Sequence, residues 1–390
     1  MTERSDHAAS GTDAPTLGIL ATSRKKHERR LPIHPLHFER IDDDLRARIV
    51  LESGYGERFG VSDDRLRELV AGVVPRADVL ERADIVLLPK PRAADLTELH
   101  EGQTLWGWPH CVQDRGLTQV AIDRRLTLIA FEAMNHWSKE GSFALHVFHK
   151  NNELAGYAAV LHALELTGST GDYGRRLDAV VIGFGATARG AVTALNALGV
   201  HDVTVLTSRD RAAVNAPIHS ATIVQFDQDD SGSSPSAVLT EEGSKPLADF
   251  LAQHDIVVNC TLQDPNNPAL YLRTADLALF VPGSLIVDVS CDEGMGFEWA
   301  AMTTFDGPLK TVGDHISYYA VDHTPSLLWN SATWEISEAL IPFLRTVMDG
   351  PTDDDQNETI RRAVEIRDGV IQNPAILAFQ HRAADYPHPS

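Results

Sequence analysis

At 390 residues, with 43% hydrophobic and 23% charged side chains, the chain is long enough for two domains, each with a substantial core. A formal charge of −21 argues against a nucleic-acid surface, which needs clustered cations, and no apolar run approaches the length of a membrane helix. Three scattered cysteines, Cys111, Cys260 and Cys291, are too few for a disulfide framework or a zinc cluster. They fit a reducing cytoplasm as small buried hydrophobes, and no metal is expected.

The first 16 residues are polar, lack the apolar core of a signal peptide and read as a disordered leader. Short apolar runs then alternate with helical patterns: LGILAT at 17–22, ARIVLES at 47–53, DIVLLPK at 84–90, QTLWGW at 103–108 and LTLIAFE at 126–132. That alternation predicts a first α/β unit with a parallel sheet. Residues 151–168 read as a helix leading into a second unit, whose strands are DAVVI, VTVLT, ATIVQF, DIVVNC and SLIVDVS. Each is apolar throughout, as in a sheet covered on both faces. The polar segment 227–245 reads as a surface insertion, and 324–350 as helical. After a solvated linker at 351–359 a last helix is expected around 360–382. The second domain is therefore placed at 151–317, and the first at 17–150 plus 318–390, discontinuous in sequence.

The strand from Asp178 runs into Gly183-Phe184-Gly185-Ala186-Thr187-Ala188, and a small-residue helix follows. Gly183 permits the tight turn, Gly185 lets a pyrophosphate approach the backbone, and Ala188 lets the helix pack closely on the sheet. The phosphates of a dinucleotide would sit at the helix N-terminus. The bland alternative is a plain tight turn between strand and helix. About 20 residues on, where a carboxylate would select NAD, the chain has Thr207, Ser208 and Arg209. Two hydroxyls and a guanidinium suit a 2′-phosphate, so NADPH (NADP+) is favoured with NADH possible. The bland alternative is that Arg209 is merely a solvated loop residue.

Other polar residues sit at strand ends, where open α/β sheets bind ligands. Arg30 lies in the loop Arg29-Arg30-Leu31-Pro32-Ile33-His34-Pro35, whose two prolines restrict the backbone. Lys90 ends an apolar strand, and His110 follows Trp106-Gly107-Trp108-Pro109. An arginine can grip a carboxylate with two parallel hydrogen bonds, while a lysine and a histidine near a carbonyl supply charge and exchange protons. Against this stand a surface pair for Arg30, a snorkelling Lys90 and a satisfied core His110. In the second unit Asp292 lies past a strand end, where it can face the nicotinamide, whereas Asp288 lies within the strand and reads as structural. Asn259, Cys260 and Thr261 end another strand and can cover the cofactor ribose; ordinary loop polarity is the alternative.

At these residues the chain resembles the alanine dehydrogenase and pyridine nucleotide transhydrogenase family, most closely its N5-(carboxyethyl)ornithine synthase branch. The matching motifs are Arg-Arg-x-Pro-x-x-Pro at 29–35, Gly-Trp-x-His at 107–110, Ala-Gly-Tyr-Ala-x-Val-Leu at 155–161, Asp-Val-x-x-Asp at 288–292 and Tyr-Tyr-x-Val-x-x-Thr-Pro-Ser-Leu at 318–327. Ala188 departs from the usual third glycine, and 132–152 follows no matched pattern. The resemblance implies an α/β fold of two Rossmann-like domains with parallel sheets and an interdomain cleft. It implies a 2-oxo acid held by Arg30 and Lys90 beside Trp108, His110 as proton donor and acceptor, and Asp292 assisting. It further implies a cytoplasmic enzyme, expected to be a homo-oligomer, with a 2-oxo acid and an amino acid as partners. The synthase branch joins pyruvate to an amine of ornithine or lysine and reduces the imine with NADPH. Alternatives are an alanine dehydrogenase using ammonia and NADH, a saccharopine dehydrogenase-like enzyme, and a non-catalytic NADP sensor.

Overall fold

The computed structural model describes residues 14–208, 218, 220–227, 237–240, 243–263, 268–349 and 357–389. The leader before residue 14, Arg209, the centre of the 227–245 insertion and most of the 351–359 linker lie outside the described residues. The chain divides into two compact units, one comprising residues 1–26, 31–147 and 337–390, the other 27–30 and 148–336.

In the first unit β1 (Leu17–Ile19), β2 (Ile49–Glu52), β3 (Gly72–Val74), β4 (Ile85–Leu87), β5 (Thr104–Gly107) and β6 (Thr127–Ala130) are all parallel. They lie in the order 3-2-1-4-5-6, the doubly wound arrangement whose ligand crevice lies beyond the strands' carboxyl ends. Central strands β1 and β4 are buried on both faces, which is why they read as unbroken apolar runs. β3 is an edge strand that the sequence reading does not include; it has only three residues, opens on Gly72 and is closed by Pro75, too short for a period to show.

The expected single helix at 360–382 is instead a helix Glu358–Ala363, a hairpin of strands Val364–Arg367 and Val370–Ile371, and a helix Pro374–Gln380. The break has a local cause. Asp368 and Gly369 adopt φ of 49° and 80°, a left-handed turn that ends a helix, and Val364 and Ile366 pair antiparallel with β6. A further hairpin, β7 (Asn135–Trp137) with β8 (Phe143–His146), occupies part of the segment that matched no pattern.

The second unit repeats the winding with β9 (Asp178–Ile182), β10 (Asp202–Thr207), β11 (Thr222–Asp227), β14 (Ile256–Asn259), β16 (Leu285–Asp288) and β19 (Ile316–Tyr319), ordered β11-β10-β9-β14-β16-β19. Antiparallel strands β12 (Ala237–Thr240), β13 (Gly243–Pro246) and β18 (Leu309–Val312) extend its edges, so part of the expected surface insertion is a sheet-edge hairpin. A small parallel pair joins β15 (Leu270–Leu272) to β17 (Gly296–Phe297). Because β19 pairs with β16, the return to the first unit comes at Ser337, not at the expected 318.

Side chains alternate strictly across this sheet. Ala179 and Val181 pack with the helices His149–Leu166 and Ala186–Ala197, while Val180 and Ile182 enter the core on the opposite face. The two helices approach at backbone distance. A β-carbon on Gly156 would lie 2.0 Å from the Thr187 carbonyl oxygen, and one on Gly190 would lie 1.7 Å from that of Glu153. Gly190→Ala is therefore expected to lower the thermal midpoint by about 5 °C or more, since overpacking against rigid backbone costs roughly 1–3 kcal/mol; scanning calorimetry measures it.

Candidate active site

Three adjacent parallel strands of the first unit end in ionisable side chains. Lys90 follows β4, His110 follows β5, and Glu132 lies in the 3-10 turn Phe131–Ala133 after β6. Gly107 allows the first two to converge, since a β-carbon there would lie 2.0 Å from the Leu88 carbonyl oxygen. Leu88 donates to the Trp106 carbonyl at 3.0 Å and Trp108 donates to that of Pro89 at 2.8 Å, with Pro89, Pro91 and Pro109 stiffening the ends. The Ser23 hydroxyl, in the loop after β1, donates to the Lys90 carbonyl. Lys90 Nζ then lies 2.8 Å from His110 Nε2.

His110 is held from behind. Its amide donates to Glu132 Oε1 at 2.6 Å, and its Nδ1 lies 3.8 Å from the same oxygen, too far for a hydrogen bond. Its backbone is left-handed, φ 50°, an uncommon conformation outside glycine that recurs where surrounding structure dictates side-chain direction. The His110 side chain remains 41% exposed, whereas Trp108 is buried against Phe131, its ring edge-on at 4.9 Å. A lysine nitrogen within hydrogen-bond distance of an imidazole nitrogen is a short path along which a proton can move.

Burial raises the Glu132 carboxyl to about 8, and the bond from the His110 amide only partly offsets this. The folded protein keeps a proton that an unfolded chain releases near 4.5, so rising pH works against the fold between those values. Glu132→Gln, which keeps the acceptor for His110, is expected to raise the thermal midpoint by about 3 °C or more at pH 8.5 and little at pH 5, in melts across pH. Glu132 was missed from sequence. It is the last letter of LTLIAFE, so the strand-end rule that picked Lys90 and His110 applies to it equally.

Arg30 is found elsewhere than expected, with the second unit. Its guanidinium is buried and already engaged: Nε donates to Glu28 Oε1 at 2.9 Å, Nη2 to Oε2 at 2.6 Å, and Nη1 to Asn151 at 3.2 Å. Burial works to raise the Glu28 carboxyl, but the Arg30 charge and hydrogen bonds win and hold it at about 2. The Ser326 hydroxyl donates to Glu28 Oε1 at 2.8 Å, and Thr324 donates to the Ala155 carbonyl at 2.9 Å. Asn151, Ala155 and the Gly156 contact with Thr187 share one helix, which ties this cluster to the glycine loop. The Glu28 partner was also missed; an acid two residues before an arginine in a proline-bounded loop was its signal.

The glycine loop suits a dinucleotide. Gly183 has φ 114° and its amide bonds the Leu206 carbonyl, so the turn out of β9 needs glycine. Gly185 faces open space, with nothing within 4 Å of a built β-carbon, and no side chain caps the helix it starts. First-turn amides of Ala186 and Thr187 over a glycine cradle are what a pyrophosphate requires, while Ala188 is buried against the sheet. Thr207 is buried and Ser208 exposed at the end of β10.

Beyond β14 the trio turns mostly inward. Asn259 is fully buried, donating to Asp288 at 3.0 Å and accepting from the Thr261 hydroxyl at 2.7 Å; Cys260 is buried, and Thr261 is the partly exposed member. Asp288 also accepts from the Tyr318 hydroxyl at 2.8 Å and the Cys291 amide at 3.1 Å, and burial raises it to about 6. Cys291, φ 47°, makes the left-handed turn that presents the partly exposed Asp292. Among the described residues no group of three or more His, Cys, Asp or Glu is arranged to hold a metal ion, and no helix is long and apolar enough to cross a membrane.

Residues 18–154 match the alanine dehydrogenase/PNT N-terminal domain and residues 169–374 its C-terminal domain. The chain is 27% identical over 343 residues to the alanine dehydrogenase of Mycobacterium tuberculosis (strain CDC 1551 / Oshkosh), covering 85% of this chain and 87% of that protein. It is 23% identical over 335 residues to the N(5)-(carboxyethyl)ornithine synthase of Clostridium botulinum, covering 83% and 92%. In fold it is similar to an L-alanine dehydrogenase, TM-score 0.74 at 19% identity, covering 94% of this chain and 99% of that one. It is also similar to a transhydrogenase from Sinorhizobium meliloti, TM-score 0.68 at 21% identity, covering 92% and 99%.

Proposed function

The chain belongs to the alanine dehydrogenase/PNT family, NAD(P)-dependent oxidoreductases acting on CH–NH bonds, and on that premise we propose that it catalyses an NADPH-dependent reductive condensation. A 2-oxo acid such as pyruvate condenses with an amine of ornithine or lysine. With one NADPH and one proton consumed, the products are the N-(carboxyethyl) amino acid, NADP+ and water. The observation that carries this reading is the 2.8 Å contact between Lys90 Nζ and His110 Nε2 at the ends of adjacent strands.

Arg30 receives the 2-oxo acid's carboxylate, with the Glu28 pair fixing the plane of its guanidinium. The Lys90 ammonium donates to the keto oxygen and polarises the carbonyl. His110 takes the proton that the attacking amine sheds and returns it to the departing hydroxyl, so water leaves and an iminium (protonated imine) remains. Glu132 orients the imidazole through the His110 amide, and Asp292 stabilises the cationic iminium. The bound nicotinamide supplies the hydride. The amides of the glycine loop would hold its pyrophosphate, and Thr207, Ser208 and Arg209 would hold the 2′-phosphate.

A second reading, alanine dehydrogenase with ammonia and NADH, is favoured by the Mycobacterium tuberculosis relative. NADPH and NADH oxidation across a matrix of 2-oxo acids and amines, with mass detection of products, separates the two. We expect turnover with pyruvate and a diamino acid, and a higher kcat/KM for NADPH than for NADH. Alanine formed from ammonia and NADH, with no diamino acid product, would replace this reading by the second. His110→Ala and Lys90→Ala are each expected to lower kcat by about 100-fold or more, the usual scale of general acid–base catalysis.

A further inference from the structure

Lys90 is approached from the strands on both sides of its own. In the sheet order β4 lies between β1 and β5. On the β5 side the Lys90 side chain meets His110, and on the β1 side the Lys90 carbonyl accepts from the Ser23 hydroxyl. All of these residues belong to the first unit. The carbonyl matters because Pro91 follows: a peptide bond to proline carries no N–H, so this oxygen is its one hydrogen-bonding group. A residue before proline is also confined to extended backbone. With that restriction, pinning the carbonyl pins the planar Lys90–Pro91 peptide, and with it the direction in which the Lys90 side chain leaves the backbone.

Ser23 is itself held. Its oxygen accepts from the Lys25 amide at 3.0 Å while its proton goes to Lys90, a double role suited to a hydroxyl. The turn around it rests on two buried carboxylates. Glu52 accepts from the Ala21 amide at 2.7 Å and from the Thr22 hydroxyl at 2.8 Å. Asp95, fully buried, accepts from the Arg24 amide at 3.2 Å and the Arg92 amide at 2.8 Å, which fastens the loop after β1 to the loop after β4 just past Lys90. Arg76 braces the frame, donating to Asp95 at 2.8 Å and to the Thr22 carbonyl at 2.7 Å. We propose that Ser23 is a positioning residue that fixes the Lys90 backbone so that the lysine nitrogen stays on His110. It touches no reacting atom and acts through Lys90; its part in catalysis rests on the reductive condensation reading.

Kinetics and chemical labelling of the full chain test this. With the 2-oxo acid and amine that turn over, Ser23→Ala is expected to lower kcat about 10-fold, the scale of a slightly misplaced catalytic group, with the KM for NADPH unchanged. Ser23→Thr, which keeps the hydroxyl, should retain most of the wild-type kcat, whereas Ser23→Val, with threonine's shape and no hydroxyl, should not. The threonine and valine pair gives the same reading if the alanine variant does not fold. Acetylation of Lys90 by acetic anhydride is read by peptide mass spectrometry against exposed Lys310. It should rise about 2- to 10-fold in Ser23→Ala and Ser23→Val, the scale of one hydrogen bond released, and stay at the wild-type rate in Ser23→Thr. Unchanged kcat, unchanged labelling, or a loss that threonine shares overturns the positioning role. Lys90 labelling that follows the hydroxyl, in a protein that oxidises no NADPH with any 2-oxo acid and amine, overturns the condensation reading instead and leaves Ser23 as what positions Lys90.

Discussion

The second unit depends on two helices meeting backbone to backbone. Gly156 against Thr187 and Gly190 against Glu153 leave no room for a side chain, so the His149–Leu166 helix has essentially one placement on the Ala186–Ala197 helix. The Arg30 cluster and the glycine loop are both hung from that contact. One end of the first helix offers Asn151 to Arg30 and the Ala155 carbonyl to Thr324. The second helix begins at the glycine loop, where a β-carbon on Gly185 would meet nothing within 4 Å and no side chain caps the helix. A shift of one helix along the other would displace the guanidinium and the 3-10 turn at Thr324 relative to the phosphate cradle.

The ionisable groups divide into those that are neutralised in place and those left to act. Glu28 with Arg30 is a buried pair whose two charges satisfy each other through parallel hydrogen bonds, so it behaves as a rigid dipolar unit. Asp288 is surrounded by donors from Asn259, Tyr318 and the Cys291 amide, and its task is to shape the turn before Asp292. Glu132 has a donor for one oxygen and burial against its charge, which is why its proton is held so far above the usual carboxylate range. His110 and Cys291 adopt positive φ without being glycine, as do residues such as Arg125 and His381 that take no part in the proposed chemistry.

Local pattern made much of this readable in advance. Strands buried on both faces appear as apolar runs whatever their neighbours are, so β1, β4, β5, β6 and the central strands of the second sheet could be named from sequence. The glycine loop is equally local, because Gly183 and Gly185 are demanded by backbone geometry within a few residues. The C-terminal segment was misread because a left-handed turn at Asp368–Gly369 and pairing with distant β6 override a weak helical pattern. Glu132 and Glu28 were overlooked for a similar reason. A carboxylate becomes informative only once its burial and its partner are known, and both partners are set by folding.

From the sequence alone follow the fold class, the nucleotide loop and the residue types Arg30, Lys90 and His110, because each is fixed by covalent and near-neighbour constraints. Tertiary structure alone decided their company. It set His110 on Lys90 through the close approach that Gly107 permits, placed Glu132 behind it, and gave Arg30 to Glu28 and the second unit. Such pairings join residues far apart in sequence, Arg30 with Asn151 across 121 positions and Ser326 with Glu28 across 298, and the free energy that selects them is burial, which no short window of sequence contains.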